Sequence, residues 1–161
     1  DDEFVSVANS HVAALNYALD GLPKDKIRVH ICWGNYEGPH ICDISMDKVF
    51  SVLMNTHAGY VLFETSNPRH AHEWTVFRDR ASEVPDDKIL IPGVLDSTTN
   101  FVEHADVVAQ RLGRFTSVFG PERVMAGTDC GFGTFAGFGA VDPEIAWAKL
   151  GVLRQGADRL L

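Results

Sequence analysis

"KILIPGVLD", residues 88–96, is an almost unbroken apolar run that ends on a carboxylate. It is too short for a typical helix. It also lacks the polar alternation of a strand with one wet face, so it predicts a strand covered on both sides, as in a parallel sheet. Three other runs read the same way: "KIRVHIC" (26–32), "YVLFE" (60–64) and "RVMAGTDC" (123–130). Helical periodicity fills the intervals. An opening helix near residues 3–19 uses Val5, Val12, Leu15 and Leu19; a second over 43–57 uses Ile44, Val49, Val52 and Leu53. A third lies around Trp74 and Phe77, over 70–82. A fourth, over 101–119, carries Val102, Val108, Leu112, Phe115 and Phe119, with Asn100 as N-cap and Glu103 in a capping-box position. Asp142-Pro143 opens the last, with proline in its first turn.

The order is a helix followed by four strand-helix units of roughly 30 residues each, the size of a βαβ repeat. The predicted class is α/β, with residues 1–161 as a single domain. Two architectures fit: an open doubly wound sheet, or part of a (β/α) barrel. A complete eight-fold barrel needs about 250 residues, so four units make half of one. Gly131, Gly133, Gly137 and Gly139 do not form a G-x-G-x-x-G turn before a helix, which weakens the doubly wound reading.

The 161 residues carry a formal net charge of -8 and are 45% hydrophobic. That composition describes a globular chain and argues against a nucleic-acid partner, which usually needs a basic face. No apolar run approaches the roughly 20 residues of a membrane span. "DDEFVSVANS" has none of the regions of a signal peptide, and the expected location is cytoplasmic. Three cysteines, an odd count, do not suggest a disulfide framework.

Chemistry collects at the strand ends: His30 and Cys32, then Glu64, Asp96, and Asp129 with Cys130. In parallel α/β folds ligands bind beyond the carboxyl ends of the strands, so these groups converge on one rim. His30 and Cys32, two apart on a strand, share a face. Two cysteines, a histidine and a carboxylate suit zinc, although a free cysteine often just packs. The triplet His-Ile-Cys occurs twice, at 30–32 and 40–42. The second follows the turn "EGP" and is not aimed at Glu64 and Cys130. Cys42 is therefore expected to be a buried structural thiol and His40 a pocket wall.

"RVHICWGNY", "VLFETSNPRHAHEW", "GVLDSTTNFVEH" and "RVMAGTDCGFGT" resemble the C-terminal catalytic barrel of cobalamin-independent methionine synthases. They resemble still more closely the short relatives that include epoxyalkane:coenzyme M transferases. The resemblance implies a (β/α)₈ TIM barrel of which this chain is the C-terminal half, starting in the helix before the fifth strand. It implies zinc held by His30, Cys32, Glu64 and Cys130, and transfer of a methyl or other alkyl group to a thiol. The thiol would be homocysteine or a coenzyme M-like molecule, and the donor methyltetrahydrofolate or an epoxide. Glu64, a hard oxygen among soft donors, is expected to be the exchangeable ligand that an incoming thiolate displaces. Glu64 and Asp96 are then the catalytic candidates. The full synthases have a histidine two residues after that aspartate; here Thr98 stands in its place.

The remaining candidates have two readings each. Asp96 orients a substrate, or starts a turn with Ser97 and Thr98. Trp33, Asn35 and Tyr36 line the substrate mouth, or cover the rim. Arg69 binds an anionic substrate group, or forms a structural ion pair. "GFGTFAGFG" (131–139) is a flap or a plain connection. A half-barrel leaves two open sheet edges that a second copy could cover, and half a pocket is expected to be inactive alone.

Overall fold

The computed structural model describes residues 1–160 apart from 134, 138 and 140. Its elements are α1 (Asp2–Ala18), β1 (Arg28–His30), α2 (Met46–Met54), β2 (Tyr60–Glu64), α3 (Trp74–Asp79), β3 (Ile89–Leu95), α4 (Ala105–Phe119), β4 (Gly127–Thr128) and α5 (Pro143–Ala157). The four strands form one parallel sheet in the order β1-β2-β3-β4. Each strand lies beside its successor, with no reversal of order. A doubly wound sheet would reverse at a switch point, so the order selects the barrel alternative. The architecture is a curled half-barrel of class α/β. No helix is long and apolar enough to cross a membrane.

The core lies between the sheet and α2 to α4. Phe77 stacks on Phe63 at 4.1 Å between ring centroids and meets Phe50 and Phe115 edge-on at 5.3 and 5.6 Å. All four rings are buried. Each large ring removed from water contributes on the order of 2–3 kcal/mol, and edge contacts add to it. The other face is barer: Arg28 and His30 of β1 are exposed, and Tyr60 and Leu62 of β2 are half-buried. The expected cover on both faces holds for β3, buried from Leu90 to Leu95, and holds only on the helix side for β1 and β2.

Boundaries shift in informative ways. The first strand stops at His30, two residues before Cys32, although the Ile31 amide still donates to Leu62 O at 2.9 Å. The second and third helices are shorter than their periodicity suggested. The fourth starts at Ala105, capped by His104, whose Nδ1 accepts from the Asp106 amide at 3.2 Å. Asn100 is not the cap; its Oδ1 accepts from the Asp142 amide instead. Glu103 is no capping-box partner because its carboxylate is taken by Lys149 Nζ at 2.7 Å and by the Asp96 amide at 2.9 Å. Asp142 does cap α5, accepting from the Glu144 amide at 2.8 Å with Pro143 in the first turn. The flap reading of 131–139 lies partly outside the described residues.

Candidate metal centre

His30 ends β1, Cys32 follows it by two residues, and Cys130 follows β4. Their ligand atoms, His30 Nε2 and the two Sγ atoms, all lie within 4.8 Å of one another. Cys130 Sγ is 3.3 Å from His30 Nε2 and 3.1 Å from Cys32 Sγ, and the thiols are free. Tetrahedral zinc with metal–ligand bonds of ~2.0–2.3 Å holds such atoms roughly 3.5–3.8 Å apart, so the set fits one ion after slight expansion. Glu64 is not within that trio's span. It joins through Cys130, whose thiol donates to Oε1 at 3.2 Å, while the Trp33 amide reaches the same oxygen at 3.3 Å.

The electrostatics describe a place for a cation. Burial pushes the Cys32 thiol up, despite hydrogen bonds from Cys130 and the Gly34 amide. Cys130 is pushed far up by burial, then by Cys32 and Glu64 beside it. Burial holds the His30 imidazole below its ordinary value, with the Glu64 charge opposing. Neutral imidazole is the ligand form. Two thiols whose ionisation is opposed by burial and further by the neighbouring Glu64 charge are the donor chemistry that a divalent cation relieves.

Asp129, at the same strand end but given no role by the sequence, fixes this geometry. Its Oδ1 accepts from the Thr65 and Ser66 amides at 2.9 and 3.0 Å, and Oδ2 from the Asn67 amide at 2.7 Å. Three consecutive amides following Glu64 thus hang on one carboxylate. Burial pushes that carboxyl up to about 7; the Ser66 and Thr65 bonds pull it down and the Glu64 charge pushes it up. The carboxylate fits because residue 93, paired with Glu64 across the sheet, is glycine: a Cβ there would sit 2.2 Å from Asp129 Oδ1. The signal in the sequence was the acid immediately before Cys130, opposite a glycine in the adjacent strand. Ser97 was also missed as a contributor. Its Oγ accepts from the Cys130 amide at 3.1 Å and donates to Asn35 Oδ1 at 3.1 Å.

The other candidates separate. Asp96 is bound to its own loop: Oδ1 accepts from the Thr98 amide and hydroxyl at 3.1 and 3.0 Å, and Oδ2 from Thr99 Oγ1. The geometry is that of the turn reading. Asn35 ties loops together, its Nδ2 donating to Gly131 O at 2.8 Å. Trp33 lies on the rim, its Nε1 donating to Ile44 O at 2.6 Å and its ring stacked 4.2 Å from His70. Tyr36 is exposed and tilts over His40 at 4.6 Å. Arg69 is exposed and forms no ion pair among the described residues, contrary to its structural reading. His40 is a buried wall residue, held by Asp43 at 2.8 Å. Cys42 is exposed, not buried, because the 36–44 loop packs through His40 instead.

No family model matches the chain. It is 26% identical over 144 residues to the 2-hydroxypropyl-CoM lyase of Xanthobacter autotrophicus (strain ATCC BAA-1158 / Py2), a match covering 74% of this chain and 38% of that one. In three dimensions it superposes on a B12-independent methionine synthase from Shewanella sp. W3-18-1, solved in complex with selenomethionine. The TM-score is 0.71 at 20% identity, over 98% of this chain and 45% of the synthase. The chain therefore spans less than half the length of either protein, and the structural likeness shows the fold.

Proposed function

From the cobalamin-independent methionine synthase family, which the sequence resembles and both matches support, we infer that this chain is the metal-bearing half of an enzyme transferring a methyl or other alkyl group to a thiol. The observation that carries the reading is the meeting of His30, Cys32 and Cys130 at one rim, with Glu64 in contact with Cys130. His30, Cys32 and Cys130 would hold zinc, with Glu64 as the exchangeable fourth donor. Bound zinc supplies Lewis acidity, which makes a coordinated thiol a thiolate near neutral pH. The chain's own groups do the rest. The neutral His30 imidazole presents a lone pair. Asp129 holds the backbone after Glu64, so the carboxylate has a fixed direction. Ser97 and Asn35 fasten Cys130, and Trp33 closes one side of the rim.

Between donors, the epoxide-type reading is favoured over methionine synthesis by Thr98, which cannot do the work of a histidine acid. Asp96, occupied by its own turn, then serves to shape the pocket. A non-catalytic zinc or thiol-binding module is the remaining alternative.

Metal analysis after dialysis tests the centre. Cys32→Ser and Cys130→Ser should each reduce zinc from about one equivalent to a small fraction, since each removes a ligand; unchanged zinc in both variants refutes the assignment. Product analysis then chooses the chemistry, with homocysteine and 2-mercaptoethanesulfonate as thiols, and methyltetrahydrofolate and epoxypropane as donors. It requires the remaining half of the barrel.

A further inference from the structure

The loop from Trp33 to Ile44 carries two amides that touch the candidate metal centre. Trp33 N–H reaches Glu64 Oε1 at 3.3 Å, and Gly34 N–H reaches Cys32 Sγ at 3.2 Å. The loop's own main chain does little to hold it. Among the described residues, one main-chain bond lies within 32–44, Tyr36 N–H to Gly34 O at 3.1 Å. His40 sits at φ +49°, a left-handed conformation that a residue with a Cβ keeps only where its surroundings impose it.

Those surroundings are a row of four side chains. Glu73 Oε1 accepts from the amide of Met46, the first residue of α2, at 2.8 Å. Glu73 Oε2 faces His70 Nδ1 at 2.8 Å, and His70 Nε2 faces Asp43 Oδ2 at 2.8 Å. The same Asp43 oxygen faces His40 Nδ1 at 2.8 Å, and His40 Nε2 faces Tyr36 O at 3.0 Å. His40, His70 and Glu73 are buried, and Asp43 is half-buried. Every ring nitrogen thus meets an oxygen acceptor. The four bonds need four protons: two imidazoliums against two carboxylates, with no net charge. Remove one proton, and two lone pairs face each other at one of the four steps.

Burial alone would lower the His70 value, but its bonds to Glu73 and Asp43 raise it above the ordinary one. The other charged groups around the row are paired elsewhere or lie in solvent. Asp47, beside Met46, pairs with Arg80. On the cavity wall that His40 shares, Glu37 and Arg69 are exposed, and Arg111 donates to Val94 O. Asp96 there accepts from Thr98 and Thr99, and Glu103 pairs with Lys149. We propose that Glu73, His70, Asp43 and His40 are a proton-dependent clasp of positioning residues: with all four protons it holds the loop so that its amides meet Glu64 and Cys32, and the loss of one proton frees the loop. The effect on the centre rests on the zinc reading; the clasp itself does not.

Nitrogen NMR of the histidine-labelled, zinc-loaded chain tests it, titrated from pH ~6 to pH ~9. The His40 and His70 rings should each carry two protons at pH ~6, and one proton should leave the row as pH rises. Amide-exchange protection over 34–42 should fall about tenfold in the same range, the scale of one charge-assisted hydrogen bond. Zinc release to a chelator should speed up by a similar factor over that rise. Protonation of the ligands themselves has the opposite sign, with faster release at lower pH. His70→Gln and Asp43→Asn should release zinc fast, with little dependence on pH in this range. His72→Gln, at an exposed histidine of the same loop as His70, should behave as wild type. Glu73→Gln can donate to His70 Nδ1 while still accepting from Met46, so it should keep the loop held with His70 carrying a single proton. Singly protonated rings in the wild type at pH ~6, or loop protection unchanged to pH ~9, overturn the clasp. A loop that loosens as expected with no change in zinc release overturns its tie to the centre. A chain that binds no zinc yet shows the ring and loop transition sinks the zinc reading and leaves the clasp standing.

Discussion

Asp129 and Gly93 form a lock at the scale of single residues. The carboxylate needs the space that a Cβ at 93 would fill, and three amides need the carboxylate. Asp129→Ala leaves buried amides unpaired and should cost about 2–4 kcal/mol in urea unfolding, with weaker zinc retention. His70 is a second residue whose surroundings predict behaviour. Burial lowers its pKa, but bonds to Glu73 and Asp43, each 2.8 Å away, outweigh this and raise it above its ordinary value. A raised folded pKa means stabilisation that is complete below the unfolded value and is lost as pH rises through the folded one. The stability difference between wild type and His70→Gln should thus be largest near pH ~6 and shrink toward pH ~8. A difference that grows with pH would contradict this. The meeting of His30 and Cys130 at one rim was legible because they stand at strand ends. Asp129's task was legible only in part: the acid before Cys130 and Gly93 stand in the sequence, but the three loop amides it holds leave no mark there.

Elements show the same division. Four strands were readable from apolar runs, since a strand buried against helices needs no polar alternation. The start of α5 at Asp142-Pro143 was readable too, but that of α4 was not, because tertiary partners compete for capping groups. Glu103 is the example: it faces Lys149 of α5, fully buried, whose ammonium also donates to Phe101 O at 2.6 Å. This pair pins α5 to the loop entering α4, and the Asp96 amide on the other Glu103 oxygen ties both to the end of β3. Lys149→Met strands a buried carboxylate and should cost about 3–5 kcal/mol. Adding Glu103→Gln should recover part of that loss. Independent, additive costs would show that the pair does not couple these elements.

At the scale of the molecule, sequential strand order separates a barrel segment from a doubly wound sheet, which composition and strand count left open. A barrel has no edges; four parallel strands have two, along β1 and β4. Exposed aromatics add apolar surface, notably Trp147 at 73% and Phe135 at 69%. The chain by itself should associate with increasing concentration in sedimentation velocity, over about a tenfold range, as open edges pair. A strict monomer throughout would show that the edges are protected. The same incompleteness predicts no detectable alkylation of homocysteine or 2-mercaptoethanesulfonate by the chain alone, since half of the rim is missing.

Trp33 joins these scales in one optical property. Its amide touches Glu64, its neighbour in the chain is Cys32, and its indole lies flat against His70. Protonated imidazole quenches indole emission on contact. The protein thus carries its own lamp at the edge of the candidate metal centre, dimming as His70 gains its proton and shifting in colour when the rim fills. Against the Trp33→Phe background, that signal reads the occupancy of the centre with no added dye.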